Sequence, residues 1–330
     1  MALAEYESGR ISGGLTGMEF YYGVDMGGTT IKMGRFDREG TLLEKWEIPT
    51  RKEDSGKHIF DDIAEAILTR TAAAGGSVDS IKAVGIDIPG TIWEDGYLEL
   101  SVNVGLKDVY PTEELSRRLN HVPVACGNDA SIAALGEYWK GGGAGHRSMV
   151  LITLGTGVGG GIVLDGKVIA GAHGIGGEIG HLPVRFGEQE VCNCGNRGCL
   201  EQVSSATGIV RETKRTLVSS DQPSSLREIR NLTAKDVLDA AKAGDALAKS
   251  VMDTVTHYLG VAMGIVSNIV DPEVFVIGGG VSAAGQDLIE WIREAYDANM
   301  YMTKKRADVQ LAQLGNDAGI YGSVRLVLPE

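Results

Sequence analysis

Basic residues are in short supply in this chain: 31 Lys and Arg stand against 44 Asp and Glu in 330 residues, a formal charge of −13. A surface of that sign repels DNA, RNA and anionic lipid, so no nucleic-acid or membrane partner is expected. Proline is scarce at 8, aromatic residues make up 6%, and there are only 4 cysteines. With 43% hydrophobic and 23% charged residues, the collagen, disulfide-scaffold and disordered classes are excluded. Long apolar runs are missing too. Ser148 to Leu164 and Thr254 to Val270 come nearest, but five glycines break the first and His257 and Asn268 interrupt the second, so neither is expected to span a bilayer. The opening MALAEYESGRISGGLTG has no basic n-region and no apolar h-region, which argues against a secretory signal and for a reducing, cytoplasmic setting. Residues 1–17 read as a disordered extension, with Met18 as the structural start.

What the chain has in excess is glycine: 47 residues, about 14% and roughly twice ordinary usage. With no G-X-Y period, these glycines are expected in turns, tight packing and close approach to a ligand. FYYGVD, MGGTT, IKMGRFD, REG and TLLEKWEI read as three strands joined by glycine turns, and His58 to Thr71 as an amphipathic helix. IKAVGIDIPG reads as a buried strand ending at Pro89-Gly90, and VPVACGNDA as another ending at Asn128-Asp129. A helix, SIAALGEYWK, then closes at Gly141 to Gly143, where the positive φ of a C-cap is expected. The same grammar restarts at Met149 with MVLITL, GTGVGGG, IVLDG and KVIAGAH, so the two halves read as a diverged internal duplication. Arg211 to Gly244 is polar and suits helices and loops, Ala246 to Val270 a long helix, VFVIGGGVS a buried strand with a glycine exit, and Asp287 to Met300 a helix. The closing Gly315 to Leu328 is helix-like and rich in small residues.

Five patterns carry chemistry. Asp25-Met26-Gly27-Gly28-Thr29-Thr30 follows an apolar strand; its backbone N–H groups and Thr hydroxyls suit phosphate oxygens and its Asp a hydrated magnesium ion, although taken alone it reads first as a plain hairpin turn. Leu154 to Gly161, LGTGVGGG, repeats that design at the equivalent place in the second half, which points to two loops clasping one polyphosphate. A third turn, Gly278-Gly279-Gly280, suits either a nucleoside lying flat on backbone or a simple tight turn. His181 with Cys192, Cys194 and Cys199 provides three thiolates and an imidazole, the donor set of a closed tetrahedral zinc site. Asn128-Asp129 precedes a helix and reads on its own as an N-cap; the functional reading makes Asp129 a general base for a hydroxyl attacking phosphorus. Glycines around Glu178 leave room for a ligand beside it. Cys126 reads as inert core, and His58, His121, His146, His173 and His257 carry no spacing argument.

DMGGTTIK, the NDA at Asn128, LGTGVGGG, the GGEIGH ending at His181, CNCGNRGCLE and VIGGGVS together resemble the ROK family of bacterial sugar kinases from Phe20 to Leu328. Within it, IAALGEYWKGGGAG running into LITLGTGVGGGIV, and GNDAGIYGS, are most similar to the family's glucokinases. The resemblance implies an α/β, actin-like (ribonuclease-H-like) ATPase fold of two duplicated domains around a cleft. The first would comprise 18–135 with 313–330, and the second 136–312 with a structural zinc site. It implies ATP with Mg2+, bound along Asp25, Gly27, Gly28, Thr29, Thr30 and Lys32, along Gly155, Thr156, Gly157, Val158 and Gly159, and at Gly279 and Gly280. It implies a hexose held by Gly90, Asn103, Asn128, Asp129, Glu178, His181 and Glu201, with Asp129 as base for the 6-hydroxyl and His181 binding zinc through one nitrogen while facing the sugar with the other. The expected reaction is phosphorylation of glucose to glucose 6-phosphate. The alternatives are another hexose or N-acetylhexosamine kinase, such as one for N-acetylmannosamine, and a non-catalytic sugar sensor. A homo-oligomer, dimer or tetramer, is implied. Two departures stand out: Ala130-Ser131 where the family often has Ala-Asn, and Leu106 where many glucokinases carry Trp, a change expected to bear on sugar preference. The family also includes repressors, but about twenty residues before the first strand are too few for a helix-turn-helix module.

Overall fold

The computed structural model describes residues 18–93, 95–301 and 303–329, so the expectation for residues 1–17 falls outside the described residues. The first half supplies strands β1 (Phe20–Met26), β2 (Thr30–Phe36), β3 (Leu42–Pro49), β4 (Ile81–Ile88), a small ribbon of β5 (Leu98–Ser101) and β6 (Leu106–Val109), and β7 (Val124–Asn128). The second supplies β8 (Ser148–Leu154), β9 (Val158–Leu164), β10 (Lys167–Val168), β11 (Val274–Gly278) and β12 (Asp308–Leu311). Helical segments are α1 (Glu53–Gly56), α2 (Ile59–Ala73), α3 (Pro111–Arg118), α4 (Asp129–Lys140), α5 (Leu200–Ser204), α6 (Ala206–Ser219), α7 (Ala234–Lys242), α8 (Ala246–Val270), α9 (Gln286–Ala298) and α10 (Ala318–Arg325).

The two large sheets have one topology. The first is ordered β3-β2-β1-β4-β7 and the second β10-β9-β8-β11-β12, each with an antiparallel hairpin beside parallel strands. The parallel strands β4 and β11 are apolar along nearly their whole length because helices or the other half cover both their faces. Edge strand β3 instead alternates half-buried and exposed residues, placing Lys45 and Glu47 outward, where charge guards an open edge. Its counterpart β10 is only two residues long. Between the sheets, α10 packs on β1 and β4, while α4 sets Ala134 and Leu135 against Met149, Leu151 and Val276 of the second sheet. The two helices cross with glycines at the contact. A methyl group on Gly322 would overlap the Ile132 carbonyl, and one on Gly136 the Ala318 carbonyl.

Two local expectations change. Gly141 caps α4 at φ −117°, and none of Gly141 to Gly143 has a positive φ. They are glycines because the Glu137 side chain, Leu311 and Met149 leave no room for a Cβ. Likewise the GTGVGGG segment is a turn only at Gly155 to Gly157. Gly159, Gly160 and Gly161 lie inside β9, where a side chain would strike Thr153, the Gly177 carbonyl and Ala134 respectively. No helix among the described residues is long and apolar enough to cross a membrane.

Candidate active site

The carboxyl ends of β1, β4 and β7 bring three acids together. Asp25 and Asp87 are lateral neighbours on parallel strands, and β7 places Gly127 beside Asp87 before delivering Asn128 and Asp129 to the start of α4. Asn128 takes the N-cap: its Oδ1 accepts from the Ser131 N–H at 3.1 Å, while its Nδ2 donates to the Gly90 carbonyl and to Asp129 Oδ1, each at 3.0 Å. Asp129 is therefore released from capping and is the first helical residue. Its tip is open to the cleft, but protein crowds it on the other sides; that desolvation, with the Asp25 charge adding, raises its carboxyl pKa above the ordinary range.

Asp25 is ion-paired with Lys32 at 3.1 Å, so the lysine expected to serve a nucleotide is engaged within the loop; its ammonium also donates to the Asn316 carbonyl. Gly27 N–H donates to the Thr30 carbonyl at 3.0 Å, and Thr50 holds both Gly27 and Thr29. Gly28 approaches the Asn103 carbonyl, where a Cβ would lie 3.0 Å away, joining the loop expected for phosphate to the one expected for sugar.

Asp87 has no role in the sequence reading, and it is wholly buried. Ser323 Oγ stands 3.0 Å from the Val24 carbonyl and 3.1 Å from Asp87 Oδ2, and its single proton cannot serve both acceptors. A protonated Asp87 resolves this by donating to the hydroxyl. Burial pushes its pKa well above the carboxylate range, and Asp25 and Asp129 push it further. Gly319 provides the space, since a Cβ there would sit 2.7 Å from both Asp25 and Asp87. The available signal was one Asp in the apolar run that follows Lys82 in β4.

The second sheet supplies the opposite wall. The Val158 N–H donates to Glu201 Oε2 at 3.0 Å, and Gly157 admits that carboxylate where any side chain would collide with it. Thr207 and Ala206, at the start of α6, hold the Thr156 and Gly155 carbonyls at 2.8 Å. Gly280 and Thr156 line one cavity of about 550 Å³ with Thr233, Lys235, Leu238 and Lys242, the α7 contribution being unforeseen. Gly279 does not line it; at φ 80° it packs against the Leu154 backbone. Gly174 packs on the Ile92 carbonyl, bringing the Glu178 segment across to the Gly90 loop. Leu106 is buried in the first core beside Gly56.

His181, Cys192, Cys194 and Cys199 converge, with all four donor atoms within 4.8 Å of one another. Cys194 and Cys199 sulfurs are 3.6 Å apart, and Cys192 Sγ is 3.8 Å from His181 Nδ1. The other ring nitrogen, Nε2, lies 3.9 Å from Glu178. Outside this cluster, Arg185, Arg215 and Arg211 bind Glu188, Glu190 and Glu212, tying the segment to α6; hydrogen bonding to Arg215 holds Glu188 down at about 2.

Comparison with known proteins matches residues 21–330 to the ROK family. A glucokinase of Halalkalibacterium halodurans is 45% identical over 93% of this chain and 94% of its own. Among solved structures, a ROK hexokinase from Thermus thermophilus has a TM-score of 0.79 at 31% identity, covering 93% of this chain and 97% of its own. A ROK family glucokinase from Streptomyces griseus, in complex with glucose and AMPPNP, has a TM-score of 0.70 at 30% identity, with coverage of 93% of this chain and 98% of its own.

Proposed function

Because the chain belongs to the ROK family and shares its actin-like ATPase fold, we propose that it is a glucokinase, transferring the γ-phosphoryl of magnesium-bound ATP to the 6-hydroxyl of glucose. The observation that carries this reading is the placement of Asp129: uncommitted to capping, exposed at the start of α4, close enough to Asp25 of one glycine loop to feel its charge, and next to Ala130, against which Gly159 at the end of the other loop packs. Phosphoryl transfer mainly requires an aligned nucleophile and a neutralised phosphate. Asp129 orients the sugar hydroxyl and accepts its proton as the oxygen attacks phosphorus. Gly90, Asn103 and Asn128 on one wall and Glu178, His181 and Glu201 on the other hold the remaining hydroxyls. The backbone of Asp25 to Thr30 and Gly155 to Gly159 faces the phosphates, and the cavity beside Gly280 takes the nucleoside. On this reading the domains are 18–135 with 313–330, and 136–312.

The cysteine cluster holds a structural zinc. Zinc–sulfur bonds of about 2.3 Å in a tetrahedron put sulfurs about 3.8 Å apart, and the observed 3.6 Å spacing of Cys194 and Cys199 supports that geometry. Held by His181 and the three cysteines, such an ion would fasten the Glu178 turn to the segment that carries Glu201. Four free thiols fit a reducing, cytoplasmic setting, and a homo-oligomer is the assembly that membership of the family implies.

A coupled ADP-release assay across glucose, mannose, N-acetylglucosamine and N-acetylmannosamine tests the proposal. Glucose gives the highest kcat/KM. A higher value for N-acetylmannosamine assigns the chain to hexosamine phosphorylation, and no ADP release with any sugar makes it a sensor.

A further inference from the structure

The chain passes between its two sheets twice: outward from α4 through residues 141–147 into β8, and back from β12 through residues 312–317 into α10. Where those passages run side by side stands Glu137, 1% exposed. Its carboxylate accepts only backbone N–H groups among the described residues. Oε2 accepts from Gly142 at 2.8 Å, on the outward passage, and from Gln313 at 3.0 Å, on the return; Oε1 accepts from Leu314 at 2.8 Å. The Glu137 carbonyl accepts two more, from Gly141 and Gly143, each at 3.0 Å. One residue thus gathers both crossings, and Gly141 and Gly142 lack side chains where a Cβ would displace it or meet Leu311.

This joint is mechanically connected to the site. Asp129 begins the helix that Glu137 nearly ends, eight residues or about 12 Å along one rigid axis. The return passage leads directly into α10, on whose Gly319 the carboxyls of Asp25 and Asp87 rest. Sliding α4 along α10 would therefore move Asp129 relative to the Asp25 loop.

We propose that Glu137 is a positioning residue for phosphoryl transfer: by pinning both passages it sets α4 against α10, and with them Asp129 against the phosphate loop. The inference rests on the reading of Asp129 as the base. A carboxylate suits the task because both its oxygens accept; an amide keeps one acceptor and turns an NH2 group toward backbone N–H.

The test is Glu137→Gln, with two readouts. Steady-state kcat falls about tenfold or more while the glucose KM stays within about threefold, because the sugar contacts survive and the alignment does not. Hydrogen exchange rises in peptides spanning 141–147 and 312–317 while β1 and β8 keep their protection. Should that variant not fold, Leu314→Pro removes a single donor at a residue whose φ of −81° suits proline, and the same changes follow at smaller size. A folded variant with kcat within twofold of the parent overturns the proposal, as does unchanged exchange at both passages. If the parent phosphorylates no hexose, the functional reading fails by itself and exchange alone decides whether Glu137 is the pin.

Discussion

Asn128 and Asp129 divide two tasks that either side chain has the chemistry to perform. Asn and Asp cap helices about equally well, so the sequence alone left open which residue capped and which was free. The structure gives the cap to Asn128, and Asp129→Asn consequently leaves α4 intact. Its kcat should fall by about 100-fold or more with glucose binding largely kept, as measured by steady-state kinetics and glucose titration; a near-normal kcat removes Asp129 as the base. Asp87 is the opposite case, a residue with no sequence signature beyond its oddity in an apolar strand. Its pKa is higher folded than unfolded, so its contribution to stability is complete below the ordinary Asp range and is lost as pH rises through the raised value. Asp87→Asn imitates the protonated acid and can still donate to Ser323. Thermal melts should show this variant gaining stability over the parent as pH increases from 5 to 9; a pH-independent difference contradicts the protonated assignment.

At the scale of elements, the cysteine segment and the Gly155–Val158 turn are coupled through Glu201, whose Oε2 accepts from Val158 and whose Oε1 lies 3.9 Å from Cys192 Sγ. The Arg–Glu network to α6 is independent of the thiols and should keep the segment attached when the metal is lost. Cys194→Ser combined with Cys199→Ser should therefore give a folded protein without the roughly one zinc per chain that four such ligands hold, by elemental analysis. The glucose KM should rise by about tenfold or more, and more than the ATP KM. Full zinc occupancy in the double variant excludes the site. The cluster was legible because its ligands sit close together in sequence. The glycines of β9 look like turn in the sequence because their necessity comes from α4 and the Gly177 loop, which sequence proximity does not reveal.

For the whole molecule, the shared sheet order makes two halves, and the α4–α10 crossing joins them through glycine on glycine. Gly322→Ala has to push a methyl group against the Ile132 carbonyl, a backbone atom that cannot rotate away. Overpacking of this kind costs roughly 1–3 kcal/mol. The melting temperature should drop by roughly 1–4 °C, and kcat with it, since the crossing carries both Asp129 and Gly319. A variant as stable and active as the parent would show that the halves do not depend on this close approach.

What the sequence determined by itself was whatever is written in short spans. Strand and helix periods, the repeated strand–glycine–strand grammar, the crowded cysteines and the Asn128-Asp129 junction are all local, and neighbouring residues suffice to specify them. Tertiary structure alone decided what depends on distant segments becoming neighbours. It set Asp87 beside Asp25, turned Leu106 into the first core, placed α7 against the cavity beside Gly280, and brought the outward and returning chain to the two oxygens of Glu137. A buried carboxylate and a surface one are the same letter, and only the packing that removes water around one of them makes its charge, its partners and its function differ.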